Sequence, residues 1–173
     1  MEKWFMLTVV GKDRSGIVSH ITAALYEGGC HLGEASMLRL GGNFTIMLMV
    51  KHEGTVKSLT ALVDGVTESM GLTLHVDKID AHLHQHIEPD VRITVSGADR
   101  AGIVSQVTTA LAEAGLNILN LASDVAGNED KPIYVMYIEG KAEEGIGSLN
   151  AAMEVINEQG IDANLDEIET LIG

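Results

Sequence analysis

Two kinds of hydrophobic periodicity alternate along the chain and predict its strands and helices. Val91, Ile93 and Val95 alternate with polar residues, which indicates a half-buried strand, and the apolar stretch from Trp4 to Val10 is also predicted to be a strand. Apolar residues then recur at every fourth position, which predicts one helix in each half of the chain. The positions in these two helices are Ile17, Ile21 and Leu25, and Ile103, Val107 and Leu111.

The pattern changes again after each of these helices and predicts a hairpin, a second helix and a last strand. In the first half the hairpin turns at Gly41–Asn43, and in the second half we expect a longer turn from Gly127 to Pro132. The second helix of the first half ends at Gly71. Its apolar positions are Leu59, Leu62 or Val63, Val66 and Met70, and those of the following strand are Leu72, Leu74 and Val76.

The sequence contains this unit twice. LTVVGKDRSGIVSHITAALYEGG, which begins at Leu7, matches ITVSGADRAGIVSQVTTALAEAG, which begins 86 residues later at Ile93. We therefore predict an α+β protein of two βαββαβ domains in tandem, each with a four-stranded antiparallel sheet and two helices on one face. The predicted domains are residues 1–84 and 91–173, joined by a short linker at 85–90 that contains histidine and acidic residues.

The sheet face away from the helices should be polar unless something covers it. Apolar residues nevertheless occupy both alternating sets of positions, namely Phe44, Ile46, Leu48 and Val50 with the interleaved Met47 and Met49, and residues 133–138. We therefore expect this face to be buried at least in part, against the sister repeat of the same chain or against another subunit. Either a homo-oligomer or an intramolecular pair of domains satisfies that expectation.

Composition excludes several classes of protein. The 173 residues carry a formal net charge of −14, which disfavours direct binding to nucleic acid or to acidic membrane surfaces. Cys30 is the only cysteine, so no internal disulfide can form, and we expect a reducing, cytoplasmic location with no targeting segment or membrane span.

The negative charge lies almost wholly in the second half. Residues 1–86 carry seven Lys and Arg against nine Asp and Glu, whereas residues 87–173 carry four against 16. Such an acidic surface favours a basic protein partner on the second repeat, and a DNA-binding regulatory protein is the partner that we expect.

The loops at Gly11–Ile17 and Gly97–Ile103 are the candidate binding elements. Each joins a strand to a helix, so the free N–H groups and positive dipole end of the helix favour a carboxylate, to which Arg14 or Arg100 could add hydrogen bonds. The alternative is structural. Asp13 and Asp99 could cap the helices, and the two arginines could pair with acidic residues.

The duplicated motif Gly-x-Asp-Arg-x-Gly-Ile-Val, with Thr and Leu at helical spacing behind it, resembles the ACT domain over nearly the whole chain. That resemblance implies a ferredoxin-like, small-molecule-binding module that regulates amino-acid metabolism. The tandem arrangement is similar to the glycine cleavage system transcriptional repressor family. This similarity implies a glycine or serine-like effector and action through a partner regulator.

The resemblance also implies where an effector binds. It places the ligand beside the strand–helix loop, usually at an interface between two ACT units, with a polar residue at the start of the second strand. That residue is Asn117 in the second repeat, which fits the family pattern, and His31 in the first, which departs from it. The second repeat is therefore the better candidate. The candidate binding residues are Asp13, Arg14, Ser15, Gly16, Ile17 and His31, with Asp99, Arg100, Ala101, Gly102, Ile103 and Asn117.

All seven histidines lie in the first half, and three of them follow one another at every second position. His82, His84 and His86 would face the same way in an extended chain and could converge on one metal ion. A solvated linker strand has the same pattern. No metal or other cofactor is therefore part of the predicted function.

The sequence predicts a non-enzymatic regulatory protein that binds a small amino acid and modulates a transcriptional regulator of amino-acid or one-carbon metabolism. Catalysis is disfavoured because no nucleophile and base occur at a recognisable spacing; Ser15 and His20 have no counterparts in the second repeat. Two alternatives stay open. One is a structural or regulatory adaptor with no effector, and the other is a regulatory subunit of an amino-acid metabolic enzyme.

Overall fold

A computed structural model describes residues 3–80, 87–98, 101–128 and 131–168. The chain divides into two compact units, Met1–His84 and Gln85–Gly173. The first contains β1 (Lys3–Lys12), α1 (Ile17–Glu27), β2 (His31–Leu40), β3 (Asn43–His52), α2 (Val56–Met70) and β4 (Thr73–Ile79). The second contains β5 (Val91–Ala98), α3 (Ile103–Glu113), β6 (Leu116–Asn128), β7 (Lys131–Ala142), α4 (Ile146–Glu158) and β8 (Asp162–Glu167). The predicted βαββαβ order is confirmed in both units.

Each unit forms a four-stranded antiparallel sheet. The strand orders are β2-β3-β1-β4 and β6-β7-β5-β8, with β2 and β6 at equivalent edges. Alternate residues of the two inner strands face the helices and form the core of each unit, as the period-two pattern predicts. In the first unit Phe5, Leu7 and Val9 of β1 are almost completely buried, and Val91, Ile93 and Val95 of β5 are their counterparts.

The helix stripes are confirmed as core residues. Ile17, Ile21 and Leu25 are buried in the first unit, and Ile103, Val107 and Leu111 in the second. In α2 the fully buried residues are Leu59 and Val63, while Leu62 is half-buried. Sequence periodicity missed Thr67, which is buried and donates its hydroxyl hydrogen bond to the helix carbonyls of Val63 and Asp64. These bonds allow a polar residue to replace an apolar one in the stripe.

The first hairpin turns as predicted, because Gly41 and Gly42 both adopt positive φ (56° and 75°) between β2 and β3. The prediction of a longer turn in the second half is wrong, since β6 and β7 stay paired through Gly127 opposite Pro132 and Asn128 opposite Lys131.

The faces away from the helices differ between the units. In the first unit Met6 pairs with Met49, and in the second Arg92 occupies the position of Met6 and pairs with Glu139. Met49 is buried, but Met47, Ile133 and Tyr137 are each about half exposed. Burial of this face against the sister repeat or another subunit stays a prediction.

The structure ties Asp90, the last residue of the predicted linker, into the second unit. Its N–H donates to the carbonyl of Gly140, its carbonyl accepts from the N–H of Ile168, and its carboxylate accepts from the N–H of Ala142. Lys141 completes the arrangement with an ion pair of 2.8 Å. Within the described ranges, every helix is too short or too polar to serve as a membrane span.

Candidate functional site

The loop between β1 and α1 has a backbone conformation that only glycine adopts readily. Gly16 is the N-cap of α1 with φ of 89°, and Gly102 occupies the same place before α3 with φ of 90°. Neither helix has a side-chain cap at this end. The alternative in which Asp13 caps α1 is therefore wrong, while Asp99 lies outside the described residues.

The first turn of α1 leaves backbone donors available. The first intrahelical bond runs from the N–H of His20 to the carbonyl of Gly16 (3.0 Å), and the side chains of Ser19 and His20 contact the same carbonyl oxygen. In the described part of the chain the N–H groups of Ile17, Val18 and Ser19 have no acceptor. These groups lie at the positive end of the helix dipole, where an anion is stabilised.

An open pocket of about 420 Å³ lies beside this turn. The loop and first helical turn form one side, and β2 and β3 form the other. The lining residues are Asp13, Arg14, Ser15, Gly16, Ile17, Val18, Ser19, Met37, Arg39 and Phe44. The pocket therefore contains all five of the loop residues that were predicted for the first repeat, together with side chains from β2 and β3 that the sequence analysis missed.

The two arginines of the pocket differ in their partners. Arg39 forms an ion pair with the half-buried Asp13, whose N–H also donates to the carbonyl of Gly42. Arg14 is exposed and forms no hydrogen bond or ion pair with any described residue. The prediction that the loop arginine pairs with an acidic residue is therefore not met at Arg14, and its guanidinium is available to a ligand.

Comparison of the two repeats did not identify Arg39, because the second unit has a different residue at the same register position. Arg39 lies opposite Phe44 and Met37 opposite Ile46, so both side chains lie on the helix-facing side of β2. In the second unit the same register positions on β6 are Val125, opposite Tyr134, and Ser123, opposite Met136. The two units therefore have different side chains on the strand that borders the loop.

Less of the second loop is described. Ala101 and Gly102 are exposed and Ile103 is buried in the core, whereas Asp99 and Arg100 lie outside the described residues. The expectation that the second repeat is the better site accordingly stays a prediction.

His31 and Asn117 lie far from the loops of their own units. His31 is opposite Lys51 at the start of β2, while the pocket residue Arg39 is eight positions further along the same strand. At a strand rise of about 3.3 Å per residue this separation is about 25 Å. Asn117 lies opposite Lys141 in the same relation to the second loop. Neither unit therefore brings its two groups of predicted residues together, and the role of His31 and Asn117 stays a prediction.

The structure reveals one histidine–serine contact that sequence spacing did not indicate. Nε2 of His52 lies 3.0 Å from Oγ of Ser58, and Nδ1 of His52 lies 3.6 Å from Sγ of Cys30. Ser58 already forms a capping box with Thr55 at the start of α2, and burial raises the pKa of the Cys30 thiol. This geometry is that of a helix cap, because the Ser58 hydroxyl donates to the carbonyl of Thr55 at 2.9 Å and so is not free to donate its proton to His52.

No three His, Cys, Asp or Glu side chains of the described residues are arranged so that they could share a metal ion. His82, His84 and His86 lie outside the described residues. Ser15 and His20 do not form a pair, since Nδ1 of His20 contacts the carbonyl of Gly16 at 2.6 Å.

Comparison with known proteins identifies both units. Models of the ACT domain match residues 3–77 and residues 91–157. The chain belongs to the ACT-domain family. It consists of two ACT domains in tandem, as the duplicated motif predicts, and the ferredoxin-like fold of each is confirmed.

Three relatives are informative about its architecture. The glycine cleavage system transcriptional repressor of Escherichia coli is 22% identical over 139 residues, which cover 80% of this ACT protein and 73% of the repressor. The UPF0237 protein YjhC of Lactococcus lactis is 33% identical over 72 residues, or 83% of its length. The crystal structure of a putative glycine cleavage system transcriptional repressor matches 98% of this chain, and 99% of that one, with a TM-score of 0.74 and 17% identity.

Proposed function

We propose that this tandem ACT protein is a non-enzymatic cytoplasmic regulator that binds an amino acid in the pocket between α1 and β2 and transmits its presence to a DNA-binding partner. The observation that carries the proposal is a pocket of about 420 Å³ at whose edge Arg14 and three helix N–H groups have no partner among the described residues. That volume lies within the range of small-molecule sites, roughly 300–1,000 Å³.

The chemistry of the pocket suits a zwitterion. The carboxylate of an amino acid would lie between the guanidinium of Arg14 and the first turn of α1, where charge-assisted hydrogen bonds are strongest. The carboxylate of Asp13, which forms an ion pair with Arg39, would accept a hydrogen bond from the ammonium group. Both charged ends of the ligand would then have a partner.

The regulatory half of the proposal follows from linkage. A ligand changes the affinity for a partner only if it binds more tightly to one arrangement of the protein than to another. Similarity to a transcriptional repressor over most of the chain supports a transcriptional regulator as the partner. The excess of acidic residues in the second unit supports a basic docking surface on that regulator.

Calorimetric titration of the full chain with single amino acids, glycine and serine included, tests the binding step. We expect measurable heat and a rise in melting temperature with at least one of them. Arg14→Gln should weaken that binding by about tenfold or more, because a hydrogen bond to a charged group contributes about 1.5–3 kcal/mol.

Lys12→Gln is the matched control, since Lys12 is an exposed cation near the same loop that does not line the pocket. Its affinity should stay within about twofold of the unmodified protein, because an exposed charge outside the pocket contributes little. Absence of both heat and thermal shift with every amino acid would refute the proposal and favour an adaptor without an effector.

A further inference from the structure

We infer that the pocket of the first unit selects an amino acid with an apolar side chain over glycine and serine. This inference rests on the proposed function, because it concerns the ligand of the same site. It also departs from the glycine or serine-like effector that the family resemblance implies. The observation behind it is an apolar wall formed by Met37, Phe44 and Val18.

The wall is composed of side chains from three different elements. Met37 of β2 is 53% exposed and Val18 of α1 is 39% exposed, while Phe44 of β3 is almost completely buried. When a ligand covers exposed apolar surface in a concave site, the removal of that surface from water contributes favourably to the free energy of binding. Methionine suits this role because its flexible thioether adapts to ligands of different shape.

The pocket has a charged part, which suits the carboxylate of an amino acid, and an apolar wall, which suits its side chain. Arg14 and the N–H groups of the first helical turn provide a place for the carboxylate, and Asp13 and Arg39 already neutralise one another. Among the described residues, the charged or amide side chains that line the pocket are those of Asp13, Arg14 and Arg39, and the remaining polar side chains are Ser15 and Ser19. A ligand side chain directed away from these groups would therefore contact the exposed side chains of Met37 and Val18.

Glycine has no side chain that could contact this wall, and serine would place a hydroxyl against it. Each buried methylene raises affinity by roughly fourfold. A leucine side chain in this open pocket is covered only in part, so we expect leucine to bind about tenfold more tightly than glycine.

The second unit indicates which substitution to test. Its residue at the position that corresponds to Met37 is Ser123, so the Met37→Ser variant gives the first unit the side chain that the second unit has there. Met37 is exposed, and its replacement should therefore leave the core and the fold unchanged.

The experiment measures the affinities of glycine, serine, asparagine and leucine by calorimetry on the full chain, its Met37→Ser variant and its Met47→Ser variant. Met47 is a matched control because it is similarly exposed (46%) but lies on the opposite face of the sheet. Asparagine resembles leucine in size but is polar, so it separates the effect of polarity from that of volume.

We expect leucine to bind best to the unmodified chain. Met37→Ser should reduce leucine affinity by about fivefold and leave glycine affinity within about twofold, and Met47→Ser should change neither. Glycine or serine binding as tightly as leucine would overturn the inference but leave the proposed function intact. Equal binding of asparagine and leucine, or an equal effect of the two variants, would also overturn it. Binding of no amino acid at all would refute both.

Discussion

Gly16 and Gly102 illustrate how single residues set the geometry of the candidate site. Both adopt φ near 90° as N-caps, so the chain can turn from a strand directly into a helix without a side-chain cap. Their surroundings differ. A Cβ atom on Gly16 would lie 3.0 Å from Cε1 of His20, whereas a Cβ atom on Gly102 would meet no described atom within 4 Å.

Alanine substitution of these two glycines should therefore have unequal effects. Gly102→Ala should lower the free energy of unfolding by about 1–2 kcal/mol, the cost of a left-handed backbone for a residue with Cβ. Gly16→Ala should lower the free energy of unfolding by about 0.5–1 kcal/mol more than Gly102→Ala does, because His20 must move and lose its hydrogen bond to the Gly16 carbonyl. Urea denaturation measures both variants, and equal losses would contradict a role for His20.

At the scale of elements, the central strands of the two units are stabilised differently. Asp90 pairs with Lys141, and Arg92 of β5 pairs with Glu139 of β7 at 2.8 Å. Burial raises the pKa of Asp90, but hydrogen bonds from Lys141 and Ala142 outweigh it and hold the pKa below its ordinary value. Hydrogen bonds from Arg92 and Asn120 lower the pKa of Glu139. The corresponding positions of the first unit are Trp4 and Met6, which do not titrate.

These lowered pKa values predict an acid-sensitive second unit. A carboxyl group whose pKa is lower in the folded state stabilises that state above its unfolded pKa of about 4, and the contribution is lost as the pH falls through the folded pKa. Stability should thus decline as the pH is lowered from about 5 to 3. Asp90→Asn with Glu139→Gln should make the decline shallower, as followed by denaturation at a series of pH values. An unchanged pH profile in the double variant would show that other carboxylates cause the decline.

At the scale of the whole molecule, two units with separate cores carry very different charge. The core of the first contains Leu7 and Leu48, and that of the second contains Ile93 and Ile138 at equivalent places. The negative charge of the chain lies mainly in the second unit. Duplication has therefore kept the buried pattern and changed the surfaces.

Separate cores predict that the units fold independently. Residues 1–86 and 87–173, expressed separately, should each give a cooperative thermal transition by circular dichroism. A fragment of residues 91–173 lacks Asp90 and should be less stable than 87–173 by about 1–3 kcal/mol, since it leaves partners of Asp90 unsatisfied. Failure of both longer fragments to fold would show that the cores depend on each other. If the fragments 87–173 and 91–173 were equally stable, Asp90 would not contribute to the stability of the second unit and would be part of the linker only.

Local patterns in the sequence were sufficient for the fold. Ile17, Ile21 and Leu25 repeat at helical spacing, and Val91, Ile93 and Val95 alternate, because a side chain's direction follows from the period of its own element. The duplicated loop motif likewise identified the family and the loop that borders the pocket. These features depend on neighbours within a few residues, which a sequence displays directly.

The pocket depends on residues that are distant in sequence. Met37 and Arg39 lie 20 and 22 positions after the end of the loop at Ile17, and strand pairing brings them beside Asp13 and Val18. Arg39 corresponds to Val125 at the same 86-residue offset as the loop motif, so comparison of the two repeats shows no shared arginine at this place. Strand pairing is a non-local interaction, so which side chains share a wall follows from the tertiary fold and not from any local pattern.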